Sequence, residues 1–394
     1  MPDRSTGTPP PVDAALLDRM REVTDPDADA AVAAYFAAVE VDDPGALFGR
    51  LVRHVSLPVE DQVPEIAALL RSARTSPDWV NPQAVVRGQQ FFNRLVAHHF
   101  TAMYLSSLPG SYAAAKGVQV LHMTSRLRTD TERRLNETAQ LLMDVATPGS
   151  LGQGGPALDR IAHIRLMHAA VRWLIANDPS VRHVDDLDPP QVVPPDLVWS
   201  SSWGRPGNQE DLVGTWLTFT VVVYDAFDAS GVDYSEQDVA DHLHMWRLIA
   251  HHLGIDPSLV PLDRAGAAAL RDLIWERQHA PSASGRAMTD ALVAQAHRHM
   301  PRLAWPMLPT AFRHFLGDHV ADILALPPAN WTRHLFGPMD ALTRVMTRGK
   351  ETHPLHARFS AFAGRHLLDG ILLEMRGGAR PAFDIPTHLA SATR

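Results

Sequence analysis

Apolar residues recur along most of this chain with the period of an α-helix. Almost every periodic stretch places them at i, i+3, i+4 and i+7, whereas runs of alternating β-branched residues are nearly absent. The pattern predicts helices at about 60–75, 83–107, 111–127, 130–146, 157–177, 209–229 and 236–253, with several more to about residue 377. We therefore expect an all-α protein with one large helical domain.

Helix start signals support this interpretation. Asn81 before Pro82 is typical of an N-cap and a first turn, and Thr129 with Glu132 has the pattern of a capping box. Ser235 with Asp238 repeats that device. We expect the helical domain to cover 13–385, between a disordered lead at 1–12 and a tail at 386–394.

Two connections are longer than those usual between packed helices. The first, "ATPGSLGQGGPA" at 146–157, leads directly into the helix predicted at 157–177. The second is the Pro-rich stretch from Asp178 to Gly207, which is long enough to form a lid or one wall of a site.

Composition narrows the classes of partner. The 394 residues carry a formal charge of −8, which argues against a nucleic-acid or anionic-membrane surface and leaves small molecules as the expected partners. The absence of cysteine excludes disulfides, thiolate metal sites and covalent haem attachment. The polar, Pro-rich start "MPDRSTGTPPPVD" and the lack of a long apolar run lead us to expect a cytoplasmic protein with no membrane span.

Several familiar motifs are either absent from the sequence or lie in the wrong structural context. "GQGGPA" at 152–157 nearly fits a dinucleotide fingerprint, but it follows a predicted helix rather than a strand, so a helix-to-helix linker is the better interpretation. No G-x-S-x-G or H-E-x-x-H motif occurs. Sequence neighbours point to different faces of a helix, so we interpret three pairs of histidines as surface or hydrogen-bonded core residues: His98 and His99, His242 and His244, and His251 and His252.

The stretch "HIRLMHAAVRWLI" at 163–175 places charges on an otherwise apolar helix. Arg165 lies about 60° to one side of His168 and Arg172 about 40° to the other, so the three share one narrow face. Because burial of two guanidinium groups is costly without anions, something negative should meet them. Protein carboxylates are one alternative. The other is an anionic cofactor such as haem, with propionates for the arginines and iron for the imidazole.

A second helix, "TDTERRLNETAQLLMDV" at 129–145, carries Arg134, Glu137 and Thr138 on one face. From residue content alone, this face is typical of an exposed amphipathic helix with a local Arg134–Glu137 ion pair.

Taken together, these stretches resemble the latex clearing protein and MpaB-type oxygenase family. R-x-x-E-T begins at Arg134, and R-x-x-H-x-x-x-R begins 31 residues later at Arg165. "PGNQED" at 206–211 and "HLHMWRLIAHHLGID" at 242–256 follow in the same order, so the resemblance covers about 80–325. Asn208 to Asp211 can also simply cap the next helix, and we give that interpretation the greater weight.

The resemblance implies an all-helical, globin-like core that holds one non-covalent haem b, with O2 as co-substrate. It implies that His168 is the proximal iron ligand and that Arg165 and Arg172 support the haem. It also implies that Arg134 and Thr138 lie on the distal side, where rubber-cleaving members carry a lysine that can occupy the sixth iron position. This chain has Glu137 there, which could hydrogen-bond or pass protons to oxygen.

We therefore expect a cytoplasmic haem b oxygenase that oxidises or cleaves an unsaturated or aromatic small molecule. The catalytic glutamate proposed upstream in rubber-cleaving members has no counterpart in this sequence. Three alternatives stay open. Two are a non-catalytic haem or O2-binding protein and a peroxide-dependent haem enzyme. The third is a cofactor-free all-α binding or scaffold protein whose arginines pair with internal carboxylates. The family also places a late arginine near its haem, and three residues qualify: Arg298, Arg302 and Arg313.

Overall fold

The computed structural model describes residues 12–39, 51, 54–55, 61–126, 131–189 and 197–348. Within these ranges the protein is all-α, as predicted, apart from one pair of three-residue strands. We number the α-helices in chain order: α1 Ala14–Met20, α2 Pro26–Ala38, α3 Pro64–Ala73, α4 Pro82–Arg94, α5 Val96–Ala102, α6 Leu108–Ala113, α7 Val118–Arg126, α8 Thr131–Val145, α9 Pro156–Asn177, α10 Gln209–Thr218, α11 Val221–Ser230, α12 Glu236–His252, α13 Arg264–Gln278, α14 Ala283–His299, α15 Met307–Leu316, α16 Asp318–Ile323 and α17 Arg333–Thr347.

Three of the long predicted helices are interrupted. The one expected at 83–107 breaks at Leu95, which has φ −114° and ψ 24°, and ends in a π-helical turn at Met103–Ser107. The one expected at 209–229 breaks at Thr220, with φ −120° and ψ −96°. In the third, Ala114 leaves the helix to bridge to His279. Helices α1 and α2 were not predicted.

The start signals within the described residues act as expected. The Asn81 side chain accepts hydrogen bonds from the backbone N–H groups of Gln83 and Ala84. Ser235 and Asp238 form a reciprocal capping box at the start of α12. Thr129, the lead at 1–11, the tail at 386–394 and any helix after residue 348 lie outside the described residues.

Helix α9 lies between two parts of the core. Its first turns pack with the main cluster of buried side chains, through Leu158 and Ile161. Further along, Leu166 and Ala169 pack with a second cluster formed mainly by α2 and α3. This double burial explains why the helix carries apolar residues around most of its circumference.

The Gly-rich stretch at 152–157 is a plain connection between α8 and α9. Gly155 is the N-cap residue of α9, and Pro156 occupies its first turn. Gly149 and Gly154 adopt positive φ angles of 81° and 68°, which glycine adopts without a steric penalty. The helix-to-helix interpretation of this stretch is confirmed.

The long Pro-rich connection contains the two strands, β1 Arg182–Val184 and β2 Val198–Ser200. They pair in parallel, with Arg182 opposite Val198. Trp199 and Trp203 are buried with Met123 of α7 and Ile175 of α9. The described part of this connection therefore covers the C-terminal half of α9.

One stretch of the described residues, Gln209–Ser230, is long and apolar enough to cross a membrane by length and composition. It consists of α10 and α11, separated at Phe219 and Thr220, and 61% of its most apolar window is buried inside the protein. These are properties of core helices.

Candidate functional site

Helix α9 carries three of the predicted site residues, Arg165, His168 and Arg172. It packs against α2, α3, α8 and α12, so most of its faces meet another helix. Asp178 follows its last residue in an extended conformation and ends the helix. The basic face of α9 is consequently held inside the protein, which agrees with the central position predicted from its sequence.

Arg165 meets a carboxylate of the protein. Its Nε donates to Oδ2 of Asp25 at 2.5 Å and its Nη2 donates to Oδ1 of the same residue at 2.7 Å. Burial is the largest single influence and lowers the pKa of Arg165, but the hydrogen bond to Asp25 and the attraction of nearby aspartates together outweigh it, so the pKa is raised. Gly254 makes this pair possible, because a Cβ at that position would lie 2.4 Å from Oδ2 of Asp25.

Arg172 also meets a protein carboxylate, but through one oxygen only, and its buried Nη2 makes no hydrogen bond among the described residues. Its Nε donates to Oδ1 of Asp29 at 2.7 Å, and its own side chain is only 7% exposed. The structure therefore shows protein carboxylates at both arginines. Contact of these arginines with haem propionates stays a prediction. Asp25 and Asp29 belong to the N-cap and first turn of α2, so these ion pairs tie α2 to α9.

His168 lies between the two paired arginines along α9. Its Nδ1 is buried and, among the described residues, has no hydrogen-bond partner. Burial, followed by the nearby Arg172 guanidinium, lowers the pKa of His168 to about 4. The imidazole is therefore neutral near pH 7, and the neutral form is the one that binds metals.

Helix α8 carries the other predicted residues and packs against α9. Glu137 and Thr138 are both partly buried on this helix. The side chain of Arg134 lies outside the described part of the structure, so its predicted ion pair with Glu137 stays a prediction. The two helices that bear the sequence motifs are thus neighbours in the fold.

The donor set fits a haem better than a metal ion bound by protein ligands alone. Across the described ranges, no group of three or more histidine, aspartate or glutamate side chains could hold a metal ion. A haem supplies four nitrogen ligands itself and needs only one axial side chain from the protein. His168, with a neutral ring and a buried nitrogen without a partner, meets that requirement.

Two other buried histidines, His242 and His99, pack in the core, although Nε2 of His99 also lacks a partner among the described residues. The ring of His242 is bonded on both sides, by the hydroxyl of Tyr224 at 2.8 Å from Nδ1 and by Nε1 of Trp246 at 3.1 Å from Nε2. His99 packs at 4.8 Å from the ring of Phe227, with its Nδ1 3.2 Å from the carbonyl of Leu95. For these two, the interpretation as hydrogen-bonded core histidines is confirmed.

The "NQED" stretch has a structural role. Asn208 caps α10 by accepting a hydrogen bond from the backbone N–H of Asp211 at 3.1 Å. Glu210 is fully buried and lies between Arg21, at 3.1 Å, and Arg277, at 3.0 Å. Both results agree with the capping interpretation, and the ion pairs tie α1, α10 and α13 together.

Of the three late arginines, Arg313 forms ion pairs with two aspartates of α16. It pairs with Asp318 at 2.9 Å and Asp322 at 2.7 Å, at the junction of α15 and α16. Arg302 lies 5.8 Å from the ring centre of Trp305. Their relation to a cofactor stays a prediction.

Asp25 and Asp29 were not predicted as partners of the site. The signal that could have found them is "TDPDAD" at 24–29, in which an aspartate before a proline marks a helix start and the third aspartate follows one turn later. It indicates a negative helix start, but not which arginines it meets.

Comparison with known proteins adds independent information. Residues 94–348 match the family described as "ER-bound oxygenase mpaB/B'/Rubber oxygenase, catalytic domain". The chain is 24% identical over 368 residues to the rubber oxygenase of Streptomyces sp. (strain K30), covering 92% of this chain and 86% of that protein. Its fold matches a structure of latex clearing protein in the closed state, with a TM-score of 0.68, 23% identity and coverage of 93% and 94% of the two chains.

Proposed function

The chain belongs to the mpaB and rubber oxygenase family and is therefore an oxygenase, and we propose that it acts with haem b and O2 on an unsaturated or aromatic small molecule. One observation carries the cofactor assignment: His168 occupies the histidine position of R-x-x-H-x-x-x-R on the central helix α9. Its imidazole is neutral and its buried Nδ1 lacks a partner among the described residues. Ring nitrogens of His99, His252 and His279 share that feature, so it is the motif that distinguishes His168. An unsatisfied polar atom inside a protein is costly, so a ligand there has a clear physical basis.

His168 would hold the haem as its proximal axial ligand. When bound, the haem iron supplies the centre at which O2 is bound and activated. The protein keeps the imidazole neutral by burying it and by placing Arg172 nearby, so no proton competes for the ring.

Arg165 and Arg172 would act on this site through the backbone. Their ion pairs with Asp25 and Asp29 fix α9 against α2 on both sides of His168 along the sequence. We assign them as positioning residues for His168, and their contact with the haem itself stays a prediction. The bidentate Arg165–Asp25 pair suits this role because its geometry is restricted.

Arg134, Glu137 and Thr138 would shape the oxygen side of the site from α8. In this assignment Glu137 holds or moves a proton, and Thr138 offers a hydroxyl for hydrogen bonding. The packing of α8 against α9 supports the assignment, since it brings the helices with the two motifs together.

An apolar substrate is consistent with the apolar side chains beside α9, where Met123, Val171 and Ile175 pack together. The Streptomyces relative is a rubber oxygenase, which also favours an unsaturated substrate. We propose a small molecule that enters past the 178–207 connection, in a protein of the cytoplasm.

The test is an absorption spectrum of protein produced with adequate haem supply, followed by oxygen consumption with unsaturated and aromatic compounds. The proposal predicts a Soret band at near-unit haem occupancy and substrate-dependent oxygen uptake. A Soret band without any oxygen uptake would instead indicate a haem protein without catalysis, and uptake replaced by peroxide-dependent turnover would indicate the peroxide enzyme. A colourless folded protein that rejects added hemin would overturn the cofactor assignment.

A further inference from the structure

Helix α17 exposes a row of large apolar side chains. Its inner face packs against α11 and α15 and buries Phe336. The outer face shows exposed fractions of 39% for Leu335, 47% for Met339, 58% for Leu342 and 63% for Met346. Because these four positions are spaced by four, three and four residues, they form one stripe along the helix.

A stripe of this kind normally has a partner. Single exposed apolar residues are common on protein surfaces, but contiguous rows usually mark a surface that packs against something. The stripe even begins before the helix, since Trp331 is 69% exposed and precedes Leu335 by four residues. Among the described residues, no element covers this stripe.

The chain itself continues beyond α17 with a second amphipathic pattern. Helix α17 ends at Thr347, and Arg348 leaves the helical conformation with φ −55° and ψ 133°. After a short polar stretch, Pro354 has the position of a first helical residue, and Arg376 before Gly377 has the pattern of a helix end. The sequence thus predicts a helix over 354–376, outside the described residues.

The apolar positions of this segment mirror those of α17. Leu355, Phe359 and Phe362 are spaced by four and then three residues. Counted backwards from the connection, the apolar stripe of α17 has the same spacing, from Met346 to Leu342 to Met339. The next two pairs, Leu367 with Leu335 and Ile371 with Trp331, are shifted by one residue from this register.

The connection suits an antiparallel arrangement. Residues 348–353 separate the two segments, a length typical of loops between antiparallel helices in bundles. A tether this short also gives the segment an effective concentration of about millimolar, well above that of a separate partner.

We propose that residues 354–376 of this chain dock antiparallel on the outer face of α17. The pairs that meet are Met346 with Leu355, Leu342 with Phe359 and Met339 with Phe362. The docked segment covers the apolar stripe and completes an outer layer over α11 and α15.

The lack of native cysteine makes a direct test possible. Leu342→Cys with Phe359→Cys places two thiols across the proposed interface of the full-length chain, whereas Leu342→Cys with Ala357→Cys is a matched control. Residue 357 lies about 160° around the helix from residue 359 but only two residues away along the chain. The two cysteine pairs therefore close chain loops of nearly the same length. Mild oxidation followed by thiol counting and mass spectrometry measures each rate of intramolecular disulfide formation.

The proposal predicts intramolecular closure at least about tenfold faster for the 342/359 pair than for the control, because disulfides need Cα atoms within about 7 Å. Met346→Cys with Leu355→Cys provides a second facing pair that retains both phenylalanines. Equal rates for facing and control pairs would overturn the proposal. Disulfides that link two molecules would indicate a second copy on this face, and fast closure that disappears with lipid vesicles would indicate a lipid surface that competes for it. Closure that appears only with vesicles would also overturn docking in the free protein.

Discussion

Arg165 and Asp25 are 140 residues apart in the chain, yet they form a two-pronged ion pair with N–O distances of 2.5 and 2.7 Å. The aspartate side chain is 3% exposed and that of the arginine 15%. The pair fixes the start of α2 against α9, one turn before His168. The position of His168 therefore depends on an ion pair between two distant parts of the chain.

Replacement of Asp25 by asparagine should therefore destabilise the protein. It leaves a largely buried guanidinium without its carboxylate, and losses of this kind cost about 3 kcal/mol. Urea unfolding monitored by circular dichroism measures the change. Asp159→Asn is the control, since it removes the partner of the exposed Arg74 and should cost less than about 1 kcal/mol. Equal costs for the two variants would show that the Asp25 pair contributes no more than a surface ion pair.

Gly254→Ala should disturb the same ion pair from the opposite side. The new Cβ would lie 2.4 Å from Oδ2 of Asp25 and 2.7 Å from Nε of Arg165, at a φ of 76°. Gly207→Ala is a matched control, because Gly207 also has a positive φ, 56°, but no atom within 4 Å of the added Cβ. The control should cost about 1 kcal/mol and Gly254→Ala clearly more, on the order of 3 kcal/mol. Thermal or urea unfolding measures the loss of stability in each variant. Equal losses for Gly254→Ala and Gly207→Ala would contradict the close packing around this ion pair.

Stability should fall on mild acidification because buried histidines resist protonation. Burial lowers the pKa of His242 to about 3, whereas an unfolded histidine titrates near 6.5. The unfolded chain thus binds a proton that the folded chain does not as pH drops from about 6.5 towards 3. Each such histidine lowers the free energy of unfolding by about 1.4 kcal/mol per pH unit in that range.

The comparison of variants isolates this contribution. Unfolding of His242→Gln, measured at several pH values between 4 and 7, should show a slope smaller than that of the parent by about 1.4 kcal/mol per pH unit. A slope that is the same in both proteins would mean that His242 takes up its proton as readily in the folded state as in the unfolded chain.

Glu137→Gln should slow turnover and leave the haem content unchanged. The amide retains the size of the side chain but can no longer exchange a proton, and general acid–base groups typically contribute a factor of about 100 or more to the rate. The measurement is oxygen consumption per haem with a substrate identified by screening. Glu276→Gln, on the exposed face of α13, is the control and should retain the parental rate. Parental turnover in Glu137→Gln would remove the proton-transfer role.

The sequence predicts most of the helical architecture and the central position of α9. Its hydrophobic period does not reveal the breaks at Leu95 and Thr220, since apolar residues continue at helical spacing through both. Those breaks depend on tertiary packing, which local periodicity does not contain. The early helix α1 was missed because its seven residues offer too short a pattern.

The same limit applies to the site. His168 and its two arginines are within one helix, so their shared face follows from helical geometry alone. Their carboxylate partners are more than a hundred residues away, and only the packing of α2 on α9 brings them together. Sequence reasoning could state that anions must meet the arginines, but it could not decide between protein and cofactor carboxylates.

The axial role of His168 is the centre of this account, and the haem content of His168→Ala tests it most directly. Pyridine haemochrome analysis gives the ratio of haem b to protein for the parent, for His168→Ala and for His163→Ala, a control on the same helix. We predict near-unit occupancy in the parent and in the control, strong loss in His168→Ala, and recovery of the Soret band when imidazole is added. Full haem occupancy with an unchanged spectrum in His168→Ala would contradict the assignment.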